Sequence, residues 1–377
     1  MTQYQIQPDG TPATFFGRTL YDAALGAMLF NWSAAGFACT FTGTRAEMDT
    51  VAFAETFPGE GENLPWVAVF ADGADTPCRV LRIDQGERRT VLFTCDIIET
   101  HTLRVVKRSE NSKGRLGLRS LWADGPLAPA PRAEKPLRIE FIGDSITCGF
   151  GNDMAADETV FDAAKENVFS AYPAVAAGLL NADFHSVCIS GIPLCWASDP
   201  AYRIRLPEHE GFAPPVRAMD GHYAYADRNH EEAMGKTEAF TPWDFERFKP
   251  DAIVINLGTN DAFRLRVSGC SPAEEAYFIR QYQAFLHQLR QWNGPKPVIA
   301  CTLGSMDYYL YDAIEKAVAA YRAQTGDARV FCMKFAPIDP WGEGFGGLGH
   351  PNAMTHAHMG RALADALRPW LNGGETA

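Results

Sequence analysis

A serine hydroxyl attacks an ester only when an imidazole removes its proton, and the tetrahedral intermediate needs hydrogen-bond donors already aimed at its oxyanion. This chain places residues of those types where apolar runs end. Ser145 closes Phe141-Ile142-Gly143-Asp144-Ser145, and Gly191 follows Ile189-Ser190. Asn260 stands in Gly258-Thr259-Asn260-Asp261, and His350 precedes Pro351 after a glycine-rich stretch. The chemistry they point to is acyl transfer. Ser145 attacks, and His350 acts as general base and then general acid. The backbone N–H groups of Ser145 and Gly191, with the side-chain amide of Asn260, form the oxyanion hole. This scheme calls for no cofactor and no metal.

Each residue also has a plainer reading. Ser145 alone fits a helix cap, Asn260 and Asp261 alone fit a turn, and Asp261 is expected to be structural in any case. His356 and His358 compete with His350 as base, but both fall inside an expected helix. Two histidines at that spacing point apart, which also argues against a shared metal. Gly149-Phe150-Gly151 follows a strand like a dinucleotide loop, yet Met154 occupies the third glycine position.

Such residues are brought together by an alternating strand and helix pattern, which marks a parallel sheet whose reacting groups gather at the carboxyl ends of its strands. Strands are expected at 137–142, 184–189, 252–257, 297–303 and 329–335. A helix follows Ser271, which with Glu274 makes a capping box, with Pro272 at the first helical position. A last helix is expected at 352–371. Before residue 125 the pattern is instead short and alternating, as in 37–42, 66–70, 90–95 and 101–106, and implies an N-terminal β-sandwich of jelly-roll type. Four prolines within 124–136 suggest an exposed linker. The expected architecture is thus a β-sandwich domain at 1–132, followed by a doubly wound α/β catalytic domain with a central parallel sheet at 133–377.

In order and spacing, Gly143-Asp144-Ser145, Gly191, Gly258-Thr259-Asn260-Asp261 and His350-Pro351 resemble the successive blocks of SGNH (GDSL) hydrolases. More narrowly, 139–149 and 250–261 resemble carbohydrate esterase family 2, and 101–110 is similar to that family's β-sandwich domain. The resemblance implies removal of O-acetyl groups from xylan-, mannan- or glucomannan-type oligosaccharides. Rival readings are an SGNH acyl-ester hydrolase of lipase type, an acetyltransferase, and a decayed carbohydrate-binding protein. Enzymes of the superfamily commonly carry an aspartate two or three residues before the histidine, where this chain has Leu348 and Gly347; Asp339 and Glu343 are out of register. A Ser145-His350 dyad is therefore expected, with the imidazole Nδ1–H held by a backbone carbonyl.

Trp196, Tyr223, Tyr225 and Trp341 lie in expected loops at the catalytic edge and are candidates to stack on sugar rings. The long segment 199–243 is expected to wall the cleft. With 377 residues and a net charge of −12, the chain lacks the basic surface that nucleic acid or anionic lipid requires. Residues 1–10 show no basic stretch followed by an apolar one, and no run is long enough to span a membrane, so a soluble, unsecreted protein is expected. Its nine cysteines are scattered singly, which suits a reducing cytoplasm better than a disulfide framework.

Overall fold

The computed structural model describes residues 1–56, 60–131, 135–195, 218–268 and 271–372. It divides into two compact units. One comprises Met1–Glu134, Val160–Phe169 and Ala226–Thr241; the other comprises Lys135–Thr159, Ser170–Tyr225 and Pro242–Ala377.

The first unit is built on a 10-stranded antiparallel sheet. Its backbone is two long strands, Gly36–Phe53 and Gly86–Lys107, paired to each other. The runs at 90–95 and 101–106 thus belong to one strand. The pairing slips between Val91 and Phe93 and again between Thr94 and Glu99, so Cys95–Ile98 form a bulge. The proline-rich stretch is not simply a linker: Leu127–Pro129 pairs antiparallel with residues 39–41. Pro129 ends that strand, where a missing N–H costs nothing in the ladder.

The second unit carries a five-stranded sheet of Leu137–Gly143, Ala182–Cys188, Ala252–Asn256, Val298–Leu303 and Val330–Lys334. Every neighbouring pair is parallel, and the spatial order of these five strands is 2-1-3-4-5. That order reverses between the first and third strands, which opens a crevice at their carboxyl ends. Ser145 and Asn260 follow those two strands. Near-continuous apolar runs such as Ala252–Asn256 are buried because both sheet faces are covered. Ile139, Phe141, Val254 and Ala300 pack with Tyr172, Ala176, Met359, Leu363 and Leu367 from helices Tyr172–Leu179 and Ala353–Leu371. A second helix pair is Pro272–Asn293 and Tyr311–Thr325. The first of these starts with the expected capping box, Ser271 and Glu274 bonding each other's backbone N–H.

Candidate active site

Ser145 opens the one-turn helix Ser145–Cys148, capped by Asp144, whose carboxylate accepts the N–H of Ile146 at 3.1 Å. At the first helical position the N–H of Ser145 has no acceptor within the helix, so it is available to an oxyanion. Gly143 allows the tight entry: a Cβ there would lie 1.9 Å from the Thr147 hydroxyl.

His350 arrives from the far end of the chain. The loop before it docks on the turn that follows the serine helix: Gly347 N–H donates to Gly151 C=O at 2.9 Å, and Ala353 N–H to Asn152 C=O at 3.2 Å. A Cβ on Gly347 would meet Met154 Sδ at 2.5 Å, so the glycines permit this approach. Gly149-Phe150-Gly151 is thereby explained as a docking surface, with the Phe150 and His350 rings 4.6 Å apart. Nε2 of His350 reaches Oγ of Ser145 at 3.0 Å. Its Nδ1 lies 3.3 Å from the carbonyl oxygen of Leu348. Since a carbonyl only accepts, Nδ1 carries the hydrogen and Nε2 turns its lone pair toward the serine hydroxyl. Leu348 directs that carbonyl from a left-handed conformation, φ 54°.

The third and second strand ends are fastened to each other. Nδ2 of Asn260 donates to Ile192 C=O at 3.1 Å and to Asp144 Oδ2 at 3.3 Å. Buried Asp261 accepts the N–H groups of Leu194 at 2.8 Å and Cys195 at 3.3 Å. The neighbours Asn260 and Asp261 thus hold the stretch just after Gly191, from Ile192 to Cys195. Gly191 itself is exposed at φ 75°, a conformation that favours glycine.

The other histidines and acids have different employment. His356 is buried and its Nδ1 accepts the Tyr172 N–H at 3.3 Å. His358 pairs with Glu343, which also accepts the Thr355 hydroxyl at 2.7 Å. Asp339 accepts the Trp341 N–H at 3.0 Å.

The aromatic candidates separate. Tyr223 must be withdrawn as a sugar contact: it is 0% exposed, packs on Phe245, Phe285 and Trp292, donates its hydroxyl to Glu140 and accepts from Asn293. Tyr225 is half-buried beside Pro242. Trp341 is 96% exposed. Trp196 and residues 199–217 of the expected wall lie outside the described residues. From the remainder, Ala226–Thr241 belongs to the first unit. Sequence reading missed Phe263, which is 65% exposed one turn after Asn260, and exposed Tyr309 after the fourth strand. Only their position after strand ends signalled them.

Residues 141–358 match the GDSL-like lipase/acylhydrolase family. The chain belongs to this family. Residues 15–131 match the N-terminal domain of carbohydrate esterase 2, and the chain's homologues are family 2 carbohydrate esterases. A cellulase/esterase, CelE, of Acetivibrio thermocellus is 29% identical over 350 residues, 89% of this chain. The chain spans only 37% of that relative's length. An acetylxylan esterase/glucomannan deacetylase of Cellvibrio japonicus is 26% identical over 308 residues, covering 80% of this chain and 76% of the relative. Among solved structures, a family two carbohydrate esterase from Clostridium thermocellum in complex with cellohexaose superposes with a TM-score of 0.75 at 26% identity. That match covers 96% of this chain and 99% of the other. The matched segment begins at Phe141, within the first parallel strand and just before the Gly143-Asp144-Ser145 block. Among the described residues, no helix is long and apolar enough to cross a membrane.

Proposed function

We propose that this chain is a serine esterase that removes O-acetyl groups from acetylated plant-type oligosaccharides of the xylan, mannan or glucomannan class. The observation that carries the reading is the 3.0 Å contact between Ser145 Oγ and His350 Nε2, with the ring's other nitrogen against a carbonyl. The names of the relatives support an acetylated sugar as substrate.

In the proposed reaction Oγ of Ser145 attacks the acetyl carbon while Nε2 of His350 takes its proton. The oxyanion is met by the N–H groups of Ser145 and Gly191 and by the Asn260 amide, which gives up its longer bond to Asp144. The imidazolium protonates the departing sugar hydroxyl, and water repeats the sequence on the acetyl-enzyme to release acetate. Exposed Trp341 and Phe263 offer apolar faces to sugar rings, whose C–H groups pack on aromatic surfaces. None of the eight described cysteines is in a disulfide, which fits a cytoplasmic setting.

Acetate release from a panel of acetylated xylo-, manno- and gluco-oligosaccharides tests the reading. Turnover of at least one of them by the wild type, and none by Ser145→Ala, is the expected result. Preference for long acyl esters would favour a lipase-like enzyme instead. Sugar binding without acetate release would indicate a binding protein.

A further inference from the structure

The first unit holds a second nucleophile, imidazole and carboxylate in a row, formed by residues the proposed esterase chemistry does not use. Sγ of Cys95 lies 3.3 Å from Nε2 of His101, and Nδ1 of His101 lies 2.9 Å from Oδ2 of Asp72. The fold builds this arrangement by specific means. Cys95 opens the bulge where the strand Gly86–Lys107 slips against Gly36–Phe53, and the slip turns its thiol back toward His101 on the same strand. Asp72 sits at φ 53° in the turn after the strand Trp66–Ala71 and is fixed to the long strand on both sides. Its N–H donates to Thr102 C=O at 2.8 Å, and its Oδ1 accepts the Thr102 N–H at 2.9 Å. The His101 ring is clamped between Phe93 and Phe41, at centroid distances of 4.6 and 5.5 Å.

This geometry dictates the tautomer. Partial burial opposes ionisation of Asp72, but hydrogen bonds from His101 and Thr102 outweigh it and hold the carboxyl below its usual range. A carboxylate accepts only, so Nδ1 carries the hydrogen and the lone pair of Nε2 faces the thiol. The thiol hydrogen has other acceptors, the carbonyls of Ile97 at 3.2 Å, Gly43 at 3.7 Å and Thr44 at 3.8 Å. A carbonyl can hold that hydrogen but cannot take it away as sulfur attacks; the imidazole can. Cys95 is half-buried and therefore reachable.

We propose that Cys95 is a modification site that undergoes thiol–disulfide exchange with small aliphatic disulfides, with His101 as general base and Asp72 as the residue that positions it. Sγ attacks one sulfur of the disulfide as its proton passes to Nε2. The disulfide's S–S bond breaks, a mixed disulfide forms on Cys95, and the departing thiolate takes the proton back from the imidazolium. The sulfur of Cys95 rises by one oxidation unit as the released sulfur falls by one, so the number of disulfide bonds is unchanged.

The exposed Cys78, whose sulfur has a backbone carbonyl at 3.3 Å, is an internal reference. The full chain is incubated with oxidised glutathione at pH 7, and adducts are mapped by peptide mass spectrometry over time. Cys95 is expected to acquire glutathione about tenfold or more faster than Cys78, and dithiothreitol to reverse it. His101→Gln should bring Cys95 down to the Cys78 rate while Cys78 is unchanged, and Asp72→Asn should slow Cys95 severalfold. Equal rates for Cys95 and Cys78 in the wild type would overturn the proposal. So would an unchanged Cys95 rate in folded His101→Gln. If that variant does not fold, Asp72→Asn decides: an unchanged rate there rejects the assignment.

Discussion

His350 presents Nε2 to Ser145 Oγ at 3.0 Å while its Nδ1 rests 3.3 Å from the carbonyl of Leu348 rather than on a carboxylate of the preceding loop. The two acids nearest in sequence are engaged elsewhere, Glu343 with Thr355 and His358 and Asp339 with the turn at Trp341. Under the proposed mechanism Ser145→Ala should therefore lower the turnover number by about 10⁴ or more. Asp339→Asn and Glu343→Gln should each lower it by less than about tenfold, against the roughly 10⁴ seen when a triad acid loses its charge. Initial rates on an aryl acetate, with folding checked by circular dichroism, measure this. A thousandfold loss in either acid variant would reveal a carboxylate acting on His350.

The carbonyl that stands in for the acid depends on one backbone conformation. Leu348 holds φ 54°, which a branched side chain adopts at a cost of about 1 kcal/mol or more and glycine adopts freely. Leu348→Gly should keep the turnover number within a fewfold of wild type. Leu348→Pro, with φ fixed near −65°, must turn the carbonyl away and should cost at least about tenfold. Comparable activity in the two variants would show that the Leu348 carbonyl does not orient the imidazole.

How far the sequence could be read follows from the range of the interactions involved. The capping box at Ser271 and the apolar strands of the parallel sheet are set within a few residues, and the structure has them where the pattern puts them. Tyr223 was misread because a tyrosine in an expected loop carries no mark of burial. Its environment is decided by Phe285 and Trp292 on a helix some 60 positions later and by Glu140 on the first strand. The Leu348 carbonyl was expected in kind but not in identity, since a left-handed leucine has no local signature. The two cysteine and histidine runs at 90–95 and 101–106 looked like separate strands because the bulge between them interrupts the alternation. The meeting of Cys95 with His101 depends on that interruption.

Asn260 and Asp261 are adjacent but should fail differently. Asn260→Ala removes one proposed oxyanion donor and is expected to lower the turnover number by about 10² to 10³ with little change in KM. Asp261→Ala leaves the N–H groups of Leu194 and Cys195 buried without their acceptor, each costing about 1–3 kcal/mol. Its melting temperature should drop while Asn260→Ala melts near wild type. A KM effect without a turnover effect at Asn260 would assign it to substrate binding instead.

His356 supplies a stability test that depends on pH. Burial, and then the charge of nearby His350, push its pKa down from 6.5 to about 3, so it is neutral in the folded chain. Its Nδ1 accepts from Tyr172 N–H, and the Tyr172 hydroxyl lies 2.9 Å from that of Thr147 in the serine helix, so its protonation bears on the site. The sign follows from proton counting. Below about pH 6.5 the unfolded chain binds a proton that the folded chain refuses until about pH 3. Stability therefore falls as pH drops through that window and is unaffected by this group above it. At most about 1.4 kcal/mol is lost per pH unit, and about 2.5 kcal/mol between pH 7 and 4.5. His356→Gln keeps an acceptor for Tyr172 but cannot bind the proton. Urea denaturation at pH 7, 5.5 and 4.5 should show the variant losing less stability than wild type by about that amount, whatever the carboxylates common to both contribute. Parallel losses in the two proteins would mean that His356 is protonated in the folded chain, and that the Tyr172 contact is not held by a neutral ring.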